Sequence, residues 1–384
     1  MVANDGATPG YIPGLLAPGT WNVILGVYQV KTTESSYTIE ITLDTKQRQE
    51  FQPCPAPTRA HYSTSLRRLP GYSPSFQWLK GDFHVHSVYS DGKLDLSSLI
   101  DKALKRNLDF IFSTEHNTNS ANLVCGSHSP EGFLVGRGIE VTTYKGHWNA
   151  IGLLPHQMID PVIHDSTNVD ASLTQAVREV HKSDGFAIIN HPFAECRCCA
   201  WDFTFHNDMD AIEVWNGPWK RHPDDESNEK AVQKWDELLR CGNIFPATGG
   251  SDLHEPQFEI GEPVTRVLAD ENSVTSIIRG LRDRRVYLTR HPSYEIAFTV
   301  RHGEKVADIG GWVEATGLVK AVVCLKGFPG GEIRLISEAG IVCRTSESWL
   351  EMEVMGRYLR VEVRDGSGEM LGLTNPIWVL GPKE

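Results

Sequence analysis

Between about Trp78 and about Pro292 the chain alternates short apolar runs with segments whose apolar residues recur at helical spacing. Leu96, Leu99, Ile100, Ala103 and Leu104 share one face, as do Leu173, Ala176, Val177 and Val180. Ala231, Val232, Trp235, Leu238 and Leu239 form a third such face, and Val274, Ile277, Ile278 and Leu281 a fourth. A strand followed by a helix, repeated, can bury both apolar faces only in a layered or barrel-shaped α/β fold, so this alternation sets the fold class. After Pro292 the helical spacing stops, and Tyr294 to Val300, Leu318 to Leu325, Glu332 to Ser337 and Arg357 to Val363 read as strands. Before Trp78, Trp21 to Tyr28 and Tyr37 to Leu43 read as strands, and the Pro-, Ser- and Arg-rich stretch from Pro53 to Pro74 reads as a surface linker. The expected organisation is an N-terminal β region and linker over 1–76, a catalytic α/β domain over 77–292 and a C-terminal β domain over 293–384. The two β regions are candidates to pack together as one sandwich and to carry homo-oligomer contacts.

What stands at the ends of the apolar runs is unusual. Phe83-His84-Val85-His86 puts two imidazoles at i and i+2, on one face of a strand. Ser90-Asp91-Gly92 adds a carboxylate in a turn, and the run ending at Ser113 leads into Thr114-Glu115-His116-Asn117. Further along come Glu140, then His147, then Asn190-His191-Pro192, and finally Asp252-Leu253-His254, which repeats the i, i+2 spacing of the first pair. Singly, each has an ordinary structural reading. Together, six of the fifteen histidines and three carboxylates fall at the predicted C-terminal edges of successive strands, where α/β barrels gather their catalytic groups. Burying so many imidazoles and acids without a cation would leave polar groups unpaired at a cost of several kcal/mol. A cluster of divalent cations with N and O ligands satisfies them all. Glu115 could replace His116 as a ligand, but neighbouring residues on a strand point opposite ways, which favours the imidazole.

In this order the residues resemble the PHP (polymerase and histidinol phosphatase) superfamily of metal-dependent hydrolases, over about residues 78 to 292. The N-terminal Pro-Gly-x-Trp segment and the wording of Glu213-Val-Trp-Asn216 and Gly249-Gly-Ser-Asp252 resemble its CehA/McbA branch, which contains carbaryl hydrolase. The resemblance implies a distorted seven-stranded (β/α) barrel carrying two or three divalent ions of zinc, manganese or iron. It implies that His84, His86, Glu140 and Asp252 hold one metal, and that Asp91, His116 and His254 hold a second. Glu140 would bridge to a third metal completed by His147 and His191. Asp91 stands where some members carry His, which suits a harder metal as well as zinc.

The implied chemistry is hydrolysis by a metal-bridging hydroxide, with Glu140, Asp252 and His191 as the catalytic side chains. A cluster of dications is attractive to an anion, which favours a small organic phosphate ester. A carboxylester or carbamate is the alternative substrate, and a non-catalytic metal-binding module the third reading. Arg266 is the candidate phosphate contact, and Trp215 and Asn216, with Trp148 and Trp201, are candidates to shape the pocket. A formal charge of -12 argues against a nucleic-acid partner. No apolar stretch is long enough for a membrane span and the N-terminus lacks the halves of a signal peptide, so the expected protein is soluble and cytoplasmic. The eight cysteines show no framework spacing and are expected to be free thiols, those of Cys196-Arg-Cys198-Cys199 included.

Overall fold

A computed structural model describes residues 2–4, 6–23, 34, 36–43, 76–196, 198–205 and 208–381. Strands β1 (Val2–Ala3) and β2 (Gly6–Ala7) pair with each other. There follow β3 (Gln77–Val85), α1 (Leu96–Lys105), β4 (Phe110–Ser113), α2 (Cys125–His128), β5 (Leu134–Thr143) and β6 (Gly146–Ile151). Next come α3 (Val169–His181), β7 (Phe186–Ile189), β8 (Ala211–Asn216), α4 (Ser227–Arg240) and β9 (Ala247–Gly250). Then come β10 (Val264–Ala269), α5 (Val274–Arg282) and β11 (Val286–Thr289). The C-terminal part is all strand: β12 (Glu295–His302), β13 (Lys305–Asp308), β14 (Trp312–Glu314), β15 (Val319–Lys326), β16 (Glu332–Ser337) and β17 (Gly340–Thr345), followed by β18 (Trp349–Val354), β19 (Tyr358–Arg364), β20 (Met370–Thr374) and β21 (Ile377–Leu380).

The four amphipathic segments read from the sequence are α1, α3, α4 and α5. Their apolar faces are buried except for Val274, which is half-buried at the start of α5, and Leu104, which lies at the end of α1 and is exposed. Asp95, Asn168 and Ser273 cap α1, α3 and α5 by accepting from backbone N–H groups of the first turn, which fixes where each helix begins. The alternation is interrupted three times. β5 and β6 form a hairpin, and among the described residues no helix lies between β7 and β8 or between β9 and β10.

Strands β3, β4 and β5 are parallel, β6 is antiparallel to both β5 and β7, and β7, β8 and β9 are parallel again. Six of these seven strands therefore run the same way, and the start of β6 lies at the edge where the other six end. The run curls so that its two ends meet: Asp252 N–H donates to His84 O (2.8 Å), and His86 N–H donates to Leu253 O (3.1 Å). The meeting is a single parallel bridge, Val85 to Leu253, instead of a ladder. What the structure shows of the expected distorted seven-stranded barrel is a curled sheet whose two ends meet across this one bridge. The physical reason is that the second edge of β3 is already paired with β10, antiparallel from Thr265 opposite Gly81 to Ala269 opposite Gln77.

Through β10, β11 and β20 the sheet continues into the C-terminal region, reaching fifteen strands. A four-stranded sheet of β13, β12, β15 and β18 packs against it, burying Phe298, Val323, Leu335, Val361 and Val363 in one core. Arg360 and Arg364 of β19 reach down to Asp236 and Glu229 of α4, with bonds of 2.7 and 2.8 Å to Asp236 and of 2.6 and 3.2 Å to Glu229, and with Glu362 between the two guanidinium groups. The sandwich is built from C-terminal strands, and none of the described residues before 76 enters its core. Residues 21–23 and 36–43 form no strand, while 24–28 and the linker expected over 53–74 lie outside the described residues. No helix among the described residues is long and apolar enough to cross a membrane.

Candidate metal centre

The strand directions bring all nine candidate ligands to one edge. His84 and His86 end β3, His116 follows β4, Glu140 lies within β5, His191 follows β7, and Asp252 and His254 follow β9. His147 does not end a strand as the sequence suggested. It begins β6 and reaches the same edge because β6 runs in the opposite direction. Three overlapping groups result: His84, His86, Glu140 and Asp252; His86, Asp91, His116 and His254; and His116, Glu140 and His147. His191 joins them with Nε2 3.1 Å from Glu140 Oε1.

Within the first group, His84 Nε2 lies 3.3 Å from Glu140 Oε1 and from Asp252 Oδ1, and His86 Nε2 lies 3.2 Å from Glu140 Oε2 and Asp252 Oδ1. In the second, His254 Nε2 and His116 Nε2 lie 3.2 and 3.7 Å from Asp91 Oδ1. In the third, His116 Nδ1 is 3.1 Å from Glu140 Oε2 and His147 Nδ1 is 3.3 Å from Glu140 Oε1. Four or six atoms about 2.1 Å from a common cation stand roughly 3.0 to 3.4 Å apart, so the shorter of these separations fit edges of a coordination polyhedron.

The hydrogen bonding gives an independent test of fit. His84 Nε2, both ring nitrogens of His86, Glu140 Oε2, His191 Nδ1 and Asp252 Oδ1 are buried without a hydrogen-bond partner. At about 1–3 kcal/mol for each unsatisfied group, six in one place would approach the whole stability of an ordinary domain. Cations there remove that cost, and the donor set of imidazoles and carboxylates suits zinc, manganese or iron.

Without cations, His84 and His86 are held protonated by the carboxylates around them. Burial disfavours charge on His86, but the Asp252 and Glu140 carboxylates 3.2 Å from its Nε2 outweigh it and push the imidazole up to about 10. His84 is likewise raised, burial being outweighed by Asp252, Glu140 and Glu213. Burial would raise Glu140 and Asp252, yet the surrounding imidazoles, His84 foremost, hold both well below the usual carboxylate range. Burial opposes ionisation of Asp91 too, but His254 and His116 bring it down to about 2. His116 goes the other way, to about 4, because burial exceeds the attraction of Glu140. The inner group is sealed, whereas the Asp91 side chain is 58% exposed, so the cluster opens to solvent on the Asp91–His116–His254 side.

A second layer of side chains fixes the first. Glu213 of β8 faces His84 Nδ1 with Oε1 (3.1 Å) and accepts with Oε2 from His191 N–H (2.9 Å) and Asn216 Nδ2 (3.0 Å). Asn190 Nδ2 donates to Glu140 Oε1 (2.9 Å). Glu115 turns away from the cluster and accepts from the hydroxyls of Ser87, Ser90 and Ser113 and from Ser87 N–H, which ties the turn bearing Asp91 to β4. Two glycines permit close approach: a Cβ at Gly250 would stand 2.4 Å from His84 Cβ, and one at Gly92 would stand 2.4 Å from His86 O. Of the six described non-glycine residues with positive φ, His191 (26°) and Asp252 (51°) are candidate ligands and Asn117 (50°) follows one, so backbone strain gathers here.

Glu213, Asn190 and Glu115 were not among the predicted site residues. A carboxylate inside the apolar run Ala211-Ile212-Glu213-Val214-Trp215 was the available signal, because a charge is rarely buried without a partner. Three predicted substrate contacts need correction. Arg266 lies opposite Lys80 on β3, four residues before His84 and so about 13 Å along the strand. It is buried and donates to Pro292 O and Tyr294 O (2.7 and 2.8 Å). Trp215 is fully buried, edge-on to Trp219, with its Nε1 on Gly217 O, and Trp148 is also core. Asn216 is buried behind the ligands and supports Glu213 instead of facing solvent. The thiol expectation changes too, since Cys196 and Cys199 form a disulfide.

Above the open side runs the N-terminal segment. Thr118 Oγ1 donates to Gly10 O (3.3 Å), and a cavity of about 520 Å³ lies between Asn117, Thr118 and Met158 on one side and Tyr11, Leu15 and Trp21 on the other.

No protein-family model matches the chain. An uncharacterized protein, MJ1587, of Methanocaldococcus jannaschii is 25% identical over 168 residues, which span 41% of this chain and 91% of that protein. A two-domain Bacteroides vulgatus protein, described as containing a predicted PHP-like metal-dependent phosphoesterase, superposes on 86% of this chain and 100% of its own, with a TM-score of 0.47 and 20% identity. An amidohydrolase from Chromobacterium violaceum, solved with bound sulfate and no metal, covers 54% of this chain and 96% of its own, with a TM-score of 0.36 and 18% identity.

Proposed function

We propose that this protein is a metal-dependent hydrolase of a small organic phosphate ester. The observation that carries the reading is that Glu140 belongs to two of three overlapping ligand groups, and that His84 Nε2, both ring nitrogens of His86, Glu140 Oε2 and Asp252 Oδ1 among them are buried without a hydrogen-bond partner. Divalent cations bound there supply an activated water and polarise the substrate oxygen. The protein's own part is to hold and orient. Donation from His84 Nδ1 to Glu213 fixes the tautomer that leaves Nε2 with a free lone pair facing Glu140 and Asp252. Glu140 joins the groups, Asp252 and His191 close the sealed side, and the exposed Asp91 side admits the substrate.

A second reading, a neutral carboxylester or carbamate as substrate, follows the CehA/McbA resemblance. It is favoured by one feature, the apolar, aromatic wall of Tyr11, Leu15 and Trp21 beside Asn117 and Thr118. The experiment is turnover of p-nitrophenyl phosphate against 1-naphthyl N-methylcarbamate by protein supplied with manganese or zinc, with His191→Ala as the blank. Phosphate turnover lost in the variant supports the first reading. Carbamate turnover alone supports the second, and inactivity on both with metal bound refutes the hydrolase assignment for these classes.

A further inference from the structure

A divalent cluster attracts any anion, so selection of a phosphate over other substrates calls for a side-chain cation with matching donors beside the ligands, and Arg266 is too far away to serve. Four described cations lie on loops at the edge where the ligands gather: Lys93, Lys145, Lys220 and Arg221. Lys145 is paired with Asp202 at 2.5 Å, and Lys220 bends back to Pro223 O at 3.4 Å. Lys93 is fixed through its backbone N–H, which donates to His254 O, while its side chain has no bond that would aim it.

Arg221 is different. It lies in the loop between β8 and α4, held there by donation from its N–H to the buried carboxylate of Asp225 (3.0 Å). Its guanidinium donates to Asn216 Oδ1, whose amide nitrogen in turn donates to Glu213 Oε2, the carboxylate that holds His84 and His191. A Cβ at Gly217 would stand 3.6 Å from Arg221 Nη2 and 3.3 Å from Ser251 O, so the head group lies beside the peptide that leads into Asp252. Among the described residues no carboxylate oxygen comes within salt-bridge distance of this guanidinium, and it donates to a neutral amide oxygen. A guanidinium has five N–H donors in a planar fork that matches a phosphate. Here one is used for aim, and the charge, shared with the buried Asp225 carboxylate, is carried by the loop beside the ligands.

We infer that Arg221 is the anion-recognising residue of this centre and makes the chain selective for a phosphate over a neutral ester. The inference rests on the hydrolase reading above for its biological meaning, but its test does not. The test is calorimetric binding of inorganic phosphate to the metal-supplied full chain, comparing wild type with Arg221→Gln and Arg221→Lys, with metal content measured on the same samples. Loss of a charge-assisted pair predicts about 10- to 100-fold weaker phosphate binding in Arg221→Gln with metal content unchanged. Lysine keeps the charge but not the fork, and should fall between the two. Equal phosphate affinity in wild type and Arg221→Gln overturns the inference. So does a loss of metal that parallels the loss of phosphate, which would make Arg221 a support for the ligands. Turnover of p-nitrophenyl phosphate by wild type reads the hydrolase assignment separately: phosphate bound through Arg221 without turnover keeps this inference and removes that one.

Discussion

Glu213→Gln tests whether the residues behind the ligands set the metal affinity. The replacement keeps the volume of the side chain but turns one acceptor oxygen into an NH2 donor. In the wild type, Oε1 faces His84 Nδ1, while Oε2 receives both His191 N–H and Asn216 Nδ2. If the amide oxygen of Gln faces His84, its NH2 confronts two donors. If it is flipped, the NH2 confronts His84 Nδ1 and favours the tautomer that puts the ring proton on Nε2, the atom facing the cation site. Either orientation breaks at least one hydrogen bond to a charged acceptor, worth about 1.5–3 kcal/mol, or roughly a 10- to 100-fold loss of affinity at 1.4 kcal/mol per decade. Losses of this size are typical when a partner of a metal-bound histidine is removed. The assay is competition for zinc against a chromophoric chelator, with circular dichroism to show that the fold is kept. A folded variant with wild-type zinc affinity would refute the claim that Glu213 holds His84 in its ligating state.

Gly250→Ala places a methyl group 2.4 Å from His84 Cβ, an atom that no side-chain rotation moves, so the backbones of β3 and β9 must separate. Overpacking of this kind costs about 1–3 kcal/mol, and the variant should show that loss in urea melts together with reduced metal content. Away from the centre, burial would raise the Glu362 carboxyl, but Arg360 and Arg364 outweigh it and hold it below its ordinary 4.5. A folded-state value below the unfolded one means that the stabilisation is full above pH 4.5 and is lost as pH falls through the lower folded value. Denaturant melts at pH 7 and at pH 4 should therefore show wild type losing stability on acidification. Glu362→Gln should lose on the order of 3 kcal/mol at pH 7 and respond less to acid. A variant as stable as wild type at pH 7 would show that Asp236 and Glu229 suffice to pair the two arginines.

Much of the centre was legible because its chemistry is written at the ends of apolar runs. His84, His86, His116, His191, Asp252 and His254 follow the ends of parallel strands, and periodicity alone places those ends. His147 reached the same edge by another route, through the reversed direction of β6, which the hairpin at Tyr144 and Lys145 imposes. The four helices were readable from their spacing, but the sheet was not, because pairing depends on contacts distant in sequence. The antiparallel β10, which occupies the free edge of β3 and prevents simple barrel closure, carries no local mark of that role. Arg266 misled for the same reason: nearness in sequence to Asp252 and His254 said nothing about the strand direction that carries it away. Arg221 was unremarked because its value lies in a chain of bonds through Asn216 and Glu213 that only the folded structure joins.

The most direct test of the account is metal stoichiometry by inductively coupled plasma mass spectrometry for wild type and Glu140→Ala, each purified with manganese or zinc supplied. Glu140 belongs to two of the three ligand groups, so wild type should hold at least two equivalents per chain and the variant should lose more than one of them, together with its hydrolytic activity. A wild type that retains no divalent metal, or a Glu140→Ala protein that keeps the wild-type complement, would contradict it.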